Sequence, residues 1–167
     1  MNVDVDIGVR CAAWHGVLPA AATVCTDAAR AAVAGAGRTD GAEAVEVSVV
    51  LADDAFLRGL NRDYRGRDEA TNVLSFPADD DAVAASTGPL LLGDIVLAYE
   101  TVSGEAAARS LALGDHLSHL VVHGALHLLG YDHESTAEAS AMEGLETRVL
   151  AGLGIADPYR AEPAHGA

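Results

Sequence analysis

The sequence has few aromatic residues and no long hydrophobic run. Aromatic residues account for 4% of the chain, whereas half of it is hydrophobic and alanine is abundant. This composition favours helices packed through small residues over an aromatic-rich β-sandwich. No apolar run reaches the ~18 residues of a membrane span, and Asp4 and Asp6 interrupt the N-terminal segment where a secretion signal has its apolar core. We therefore expect a soluble, cytoplasmic protein.

Cysteine is also scarce. Cys11 and Cys25 are the only two, too far apart for a C-x-x-C pair and too few for a disulfide framework. We expect both to be free thiols in a reducing compartment.

Lysine is absent, and ten arginines face 25 acidic residues, for a net charge of -15. Non-specific coating of nucleic acid requires clustered cations, so this balance argues against that class of protein. Four arginines nevertheless fall within ten positions that contain a single acid, Asp63; they are Arg58, Arg62, Arg65 and Arg67. This arginine cluster predicts a local positive surface on an acidic molecule.

The length of 167 residues suits one domain that buries roughly two-thirds of its unfolded surface. Because no repeat and no long linker divides the chain, we predict one domain over residues 1–157 and a flexible tail over 158–167. Alternating or short apolar runs predict four strands, at residues 3–9, 45–49, 72–76 and 90–98.

Cap residues and helical spacing predict three helices around these strands. Each has a residue that favours a first turn and a glycine suited to the end of a helix. They run from Pro19 to Gly35 or Gly37, from Asp53 or Asp54 to Gly66, and from Ser135, with Glu138 in capping-box spacing, to Gly152.

A fourth helix is predicted over residues 116–129, capped by Asp115 and ended by Gly130. Its apolar residues cover nearly the whole circumference, so we expect it to be buried at the centre of the fold. Only one narrow stripe is polar, and every member of it is a histidine: His116, His119, His123 and His127.

Three histidines of this region form a candidate metal site. His123 and His127 are four positions apart, which puts their Cβ atoms about 5–6 Å from each other on one helix face. A left-handed cap at Gly130 lets the chain turn back, so that His133 can reach the same point. Three neutral imidazoles suit zinc and leave one position for water, which predicts a catalytic site for hydrolysis. The alternative is that these are ordinary core or surface histidines.

His119 and His116 lie one and two turns earlier on the same stripe. We interpret them as residues that line the cleft or bond to a ligating ring. A role for His119 as a fourth ligand stays open.

The spacing H-x-x-x-H-x-x-G-x-x-H also occurs in metzincin proteases. Those enzymes need a glutamate beside the first histidine as general base, and here that residue is Gly124. Loss of a general base costs roughly 10²–10⁴ in rate, so we discount a zinc peptidase.

Three sequence blocks resemble the YbeY family of zinc-dependent, single-strand-specific endoribonucleases. The string His123-Gly-Ala-Leu-His127-Leu-Leu-Gly130-Tyr-Asp-His133 is similar to the family's H-G-x-L-H-L-x-G-Y-D-H signature. The second block consists of residues 60–65, which resemble the family's L-N-x-x-Y-R segment, and residues 71–76, which resemble its T-[DN]-V-L-S-F segment. The third block, residues 92–95, resembles its L-G-D-I strand.

The resemblance implies a compact α+β fold, which we expect to be a mixed sheet of about four strands packed with helices around the buried histidine-bearing helix. It also implies one Zn²⁺ per chain and a cytoplasmic location. The implied activity is cleavage of single-stranded RNA in 3'-end maturation of small-subunit ribosomal RNA and in ribosome quality control. The expected partners are that RNA, the ribosomal small subunit and its proteins.

By the same resemblance, Arg65 matches the family's functionally important arginine. Cleaving a phosphodiester concentrates negative charge on oxygens that zinc and a guanidinium can stabilise together. The alternative is that Arg65 only complements the dipole of the preceding helix.

Two aspartates remain ambiguous. Asp132 and Asp94 either orient a ligating imidazole or have structural roles, as a turn residue and a strand-end hydrogen-bonding group respectively. We favour the structural role for Asp94 and leave Asp132 open.

The strong acidity supports a second hypothesis, because it is unfavourable for RNA binding. The chain would then be a ribosome-assembly binding factor with little nuclease activity of its own, docking onto basic ribosomal proteins.

Overall fold

The computed structural model describes residues 2–39, 41–69, 71–78 and 89–159. Over these residues four strands and six helices follow one another in this order: β1 (Asn2–Val9), α1 (Ala13–Val17), α2 (Ala21–Ala36), β2 (Ala44–Ala52), α3 (Asp54–Arg65), β3 (Val73–Pro77), β4 (Leu90–Ala98), α4 (Tyr99–Ala108), α5 (Leu113–Leu128) and α6 (Thr136–Gly152). Helices α1 and α4 lie outside the sequence prediction.

The four strands form one mixed sheet in the order β1-β2-β4-β3. Strands β1, β2 and β4 are parallel, and β3 runs antiparallel to β4. Strand β3 therefore lies at one edge of the sheet. The predicted α+β fold with a mixed sheet of about four strands is confirmed.

Alternation along the strands separates the two faces of the sheet. In β2, Val45, Val47, Val49 and Leu51 are fully or almost fully buried, in one core cluster with residues of α2, α5 and α6. The opposite face carries a smaller cluster, in which Leu57 of α3 packs with Leu74 and Val96. This arrangement puts α5 and α3 on opposite sides of the sheet, with β3 between them at the edge.

The predicted caps of α3 and α6 are confirmed. The side chain of Asp53 accepts a hydrogen bond from the Phe56 amide at 2.9 Å, and α3 ends at Gly66 in the left-handed conformation, with φ 70°. Ser135 accepts a hydrogen bond from the Glu138 amide at 3.1 Å. The Gly66 and Ser135 caps fix the two helix ends that lie closest along the chain to Arg65 and His133.

The N-terminal cap predicted for the central helix is wrong. Helix α5 begins at Leu113 with Ala112 at the cap position, and Asp115 lies inside the first turn. An acidic residue is favourable there as well, because it faces the positive end of the helix dipole. The expected burial is confirmed, since the apolar residues of α5 lie in the main core.

None of the helices over the described residues has both the length and the apolar character needed to cross a membrane. Most of the predicted tail, residues 160–167, lies outside the described residues, so the domain limits of 1–157 and 158–167 stay a prediction.

Candidate metal centre

Helix α5 and the loop after it bring three imidazole rings together. His123 and His127 lie one turn apart on α5, and His133 follows the turn at Gly130, whose φ of 96° suits glycine. One ring nitrogen from each histidine lies within 4.8 Å of the others. Within the described part of the chain, this is the one cluster of three or more His, Cys, Asp or Glu side chains with such convergence.

The rings face one another through nitrogens rather than carbon edges. Nε2 of His123 is 3.1 Å from Nε2 of His127, and the ring of His133 lies 5.1 Å from that of His127 and 6.0 Å from that of His123, centroid to centroid. Three imidazoles with an open side form a donor set that suits Zn²⁺ in a catalytic rather than a structural site. The residues present therefore fit one metal ion.

A buried carboxylate orients the first of these rings. Oε2 of Glu146, in α6, is 2.8 Å from Nδ1 of His123, and Glu146 is 1% exposed. Because an ionised carboxylate only accepts hydrogen bonds, Nδ1 of His123 must carry the proton. Nε2 then presents its lone pair toward His127 and His133, which is the tautomer that a metal ligand needs.

Glu146 is held in its ionised form by three donors. Burial alone would raise the pKa of Glu146, but hydrogen bonds from His119, His123 and Tyr159 together lower it to about 2. Its second oxygen, Oε1, is 2.8 Å from Nε2 of His119 and also accepts a bond from the Tyr159 hydroxyl. The carboxylate is therefore a fixed negative charge behind the metal site.

His119 and His116 have different surroundings from the three clustered rings. Nε2 of His119 points at Glu146 and Tyr159, so His119 supports the carboxylate that bonds to His123. His116 is buried against α4, with Nε2 2.9 Å from Oε1 of Glu105. Of the two, only His119 is connected to the candidate site.

The environment of His127 keeps its ring neutral. Burial lowers the pKa of His127, and the neighbouring His123 and His133 rings lower it further. A neutral imidazole has the lone pair that a metal ion requires.

The candidate ligands open into a cavity of about 510 Å³ that also contains Arg65. The edge strand β3, including Ser75 and Pro77, and the loop residue Asp132 also line this cavity. The structure thus brings Arg65 and the three imidazoles to one cavity, although Arg65 comes from the last turn of α3. A phosphate in this cavity would lie between a guanidinium and the imidazole cluster.

Over the ranges that the structure describes, some arginines of the arginine cluster are paired with nearby aspartates, and others are not. Arg58 forms a two-point ion pair with Asp68, at 2.8 and 3.1 Å, and Arg62 approaches Asp63 at 3.4 Å. Among the described residues, Arg65 forms no ion pair. Arg65 therefore supplies the positive charge at the cavity, and the cluster as a whole contributes less than its four arginines suggest.

Gly124 occupies the position where a metzincin peptidase has its glutamate, and the packing around it shows how much space a side chain would have. A Cβ atom there would lie 2.8 Å from Cγ2 of Ile95 and 2.9 Å from Oγ of Ser75. These distances are shorter than van der Waals contact, so any side chain at position 124 forces Ile95 or Ser75 to move. Packing as well as sequence therefore disfavours a metzincin-like glutamate.

Asp132 and Asp94 lie on different sides of the sheet edge. The Asp132 carboxylate accepts a hydrogen bond from the His133 amide at 2.7 Å, which fixes the loop that carries His133. Asp94 pairs in β4 with Phe76 of β3 and lies against cavities on the other face. Asp132 therefore has a turn role close to the candidate ligands, and Asp94 is away from them.

Sequence reasoning missed Glu146 and Tyr159. Glu146 lies 13 positions after His133 in a helix that also carries Glu138 and Glu143, and a glutamate in a helix is usually exposed. The sequence pattern that could have predicted its burial is its helical spacing from Met142 and Val149, which puts Glu146 on the buried side of α6. A buried acid predicts a partner, because an unpaired buried charge is costly.

Comparison with known proteins identifies relatives along nearly the whole chain. A profile of the family described as Endoribonuclease YbeY matches residues 21–154. The Endoribonuclease YbeY of Paramagnetospirillum magneticum is 50% identical over 161 residues, which cover 95% of this chain and 97% of that protein. The protein of the same name from Azorhizobium caulinodans is 48% identical over 164 residues, which cover 98% and 100%.

Among solved structures, the solution structure of TM1509 from Thermotoga maritima has a similar fold. It is 22% identical, the match covers 95% of this chain and 99% of that one, and the TM-score is 0.50.

Proposed function

The chain belongs to the YbeY family of endoribonucleases, and on that basis we propose that it cleaves single-stranded RNA by hydrolysis at a zinc ion held by His123, His127 and His133. The observation that carries this proposal is the convergence of three imidazole nitrogens within 4.8 Å in a cavity that also contains Arg65. Cytoplasmic location is part of the proposal, and the free thiols of Cys11 and Cys25 agree with it.

The choice of zinc follows from the donor set. Imidazole ligands suit zinc and other late transition metals, whereas magnesium and calcium prefer oxygen. When bound, zinc would lower the pKa of a water molecule toward ~7 and neutralise charge on the phosphate. Glu146 would keep the His123 ring turned with Nε2 toward the ion.

Arg65 has the second role in the proposed reaction. Its guanidinium is a planar fork that can donate two hydrogen bonds to the non-bridging oxygens of one phosphate. These oxygens gain negative charge as the phosphodiester is attacked, so Arg65 would stabilise the transition state more than the bound substrate. Helix α3 supplies the rigid support, because its C-terminal turn is fixed by the Gly66 cap.

The proposed substrate in the cell is ribosomal RNA. We propose 3'-end maturation of small-subunit ribosomal RNA and ribosome quality control, with the small subunit and its proteins as partners. This assignment rests on family membership. The acidic surface supports it, because a net charge of -15 favours delivery of the RNA by basic ribosomal proteins over capture of free RNA.

The experiment compares cleavage of an end-labelled single-stranded RNA by purified protein before and after chelation, and after zinc is returned. We expect chelation to abolish cleavage and zinc to restore it, while His127→Ala stays inactive under all three conditions. Persistent cleavage in chelator would refute a metal-dependent reaction. Association with small subunits without any cleavage would support the binding-factor hypothesis instead.

A further inference from the structure

A second cavity, of about 400 Å³, lies beside the candidate metal centre on the other face of the sheet. It is bounded by α3 on one side and by β2, β3 and β4 on the other, and three of its lining residues are aromatic: Phe56, Tyr64 and Phe76. We call it the aromatic cavity. None of the three rings is fully buried, and Tyr64 is 71% exposed at the rim.

The two cavities meet at the edge strand β3. Ser75 faces Gly124 of α5 and lines the metal-site cavity, so its neighbour Phe76 faces the aromatic cavity on the opposite side of the strand. The same holds on α3, where Tyr64 lines the aromatic cavity and the next residue, Arg65, lines the other. Because consecutive Cα atoms are about 3.8 Å apart, a chain that passes over the edge of β3 can enter both cavities at once.

The rings are arranged as a platform with an open side. Tyr64 and Phe76 meet edge to face, with centroids 5.6 Å apart and an interplanar angle of 65°. One face of Phe56 is already covered by the guanidinium of Arg10, 4.4 Å from the ring centroid. The surface left for a ligand is therefore formed mainly by Tyr64 and Phe76, next to the apolar side chain of Leu60.

The charges of the two cavities match the two parts of a nucleotide, the uncharged base and the negatively charged phosphate. The aromatic cavity has the carboxylate of Asp94 in its wall, which repels a phosphate but not an uncharged base. The neighbouring cavity has Arg65 and the three imidazoles against a single acid among its described lining residues, Asp132, and the guanidinium attracts a phosphate. Aromatic side chains bind bases of single strands by stacking, without needing one particular sequence.

We propose that the aromatic cavity receives one base of the RNA strand whose phosphate lies between Arg65 and the imidazole cluster. The strand crosses the edge of β3, and the base stacks on the ring of Tyr64. Because the two rings are inclined by 65°, the base meets Phe76 edge to face. This inference rests on the proposed endoribonuclease function and adds a contact that sets the position of the strand. It also gives a physical reason for single-strand specificity, because a base held in a duplex cannot turn into the cavity.

The experiment combines a protein variant with a change in the RNA. The scissile bond of a short single-stranded RNA is first mapped with wild-type protein and zinc. A series of the same RNA is then made with one base removed at each position near that bond. Cleavage (kcat/KM) is measured with zinc, and affinity is measured by fluorescence anisotropy in chelator, where the RNA is not cut.

Tyr64→Leu is the main variant, because Tyr64 is largely exposed and we therefore expect its loss to leave the fold intact. Tyr64→Phe keeps the ring, and Val17→Ala changes an exposed apolar residue, 58% accessible, that lines neither cavity. We expect removal of one particular base to weaken binding to wild type, Tyr64→Phe and Val17→Ala by roughly 5- to 100-fold. Tyr64→Leu should bind intact RNA about as weakly as wild type binds the RNA that lacks this base. Removing the same base should then weaken binding to Tyr64→Leu little further.

Two failures can be told apart. If wild type with zinc cuts no RNA, the proposed function is wrong. If wild type cuts RNA but no single base matters, or if Tyr64→Leu and base removal weaken binding independently and additively, the base-binding role of the aromatic cavity is wrong. Unchanged binding by Tyr64→Leu has the same meaning, since the RNA then gains no affinity from the Tyr64 ring.

Discussion

Glu146 and His123 form the contact that prepares the candidate metal centre, with Oε2 of the buried acid 2.8 Å from Nδ1 of the imidazole. The bond joins α6 to α5 and fixes both the tautomer and the orientation of the ring. A ligand held in advance loses less conformational freedom when the ion binds, so the contact contributes to metal affinity without touching the metal.

Replacing Glu146 by glutamine should therefore weaken zinc binding. Glu146→Gln removes the fixed negative charge behind His123, and loss of such a partner costs about 10- to 100-fold in metal affinity. Affinity is measured by competition with a chromogenic chelator, and circular dichroism confirms the fold. The matched control is Glu143→Gln, an exposed acid on the same helix, which should bind zinc like wild type. Equal affinity of both variants would contradict the role of Glu146.

Arg65 should act on the reaction and not on the metal. Arg65→Ala should reduce kcat for RNA cleavage by about 10²- to 10³-fold, as expected for loss of a group that stabilises developing charge, while the zinc content stays unchanged. Arg58→Ala is the control, because that guanidinium is already paired with Asp68 at 2.8 Å, and its loss should change cleavage little. A general electrostatic effect of the arginine cluster would instead reduce cleavage similarly in both variants.

Packing at Gly124 should make even the smallest added side chain harmful. Alanine in a helix is normally more favourable than glycine by about 0.8–1 kcal/mol, but the Cβ contacts of 2.8 and 2.9 Å force an overpacking cost of about 1–3 kcal/mol. Gly124→Ala should thus be destabilised in urea unfolding. Gly104→Ala, at an exposed α4 position with no atom within 4 Å of the new Cβ, should be stabilised. A stable Gly124→Glu variant would overturn the steric argument against a glutamate.

The two cysteines should differ in reactivity in the folded protein. Burial raises the pKa of the Cys25 thiol to about 12, so at pH 8 almost none of it is the reactive thiolate, and no reagent reaches it. Cys11 is partly exposed. Titration with a thiol reagent should detect one thiol in native protein and two in denaturant. Two fast-reacting thiols in the native protein would contradict the burial of Cys25.

The sequence predicts those features of the fold that depend on neighbours along the chain. The Asp53 and Gly66 caps of α3 and the Ser135 cap of α6 are such cases, because each is a bond between residues three to five positions apart. The start of α5 was misplaced at Asp115, since an acid is favourable both as a cap and in a first turn. The convergence of the three histidines followed from helical spacing and one glycine turn.

Contacts between distant segments could not be predicted in the same way. No local pattern joins Glu146 to His123, which are on separate helices, or brings Tyr64 to Phe76 across a loop. The sequence also suggests no row of base-stacking aromatics, because Phe56, Tyr64 and Phe76 are spread over 20 positions and meet only when α3 packs on the sheet. Their chemistry depends on tertiary packing.

The most direct test of a three-imidazole site with one open position is the zinc-edge X-ray absorption spectrum of the zinc-loaded protein. We expect scattering from three imidazole rings and one further light atom, at about 2.0–2.1 Å. A spectrum with four imidazoles, which would bring in His119, or with a sulfur ligand would contradict the proposed catalytic site.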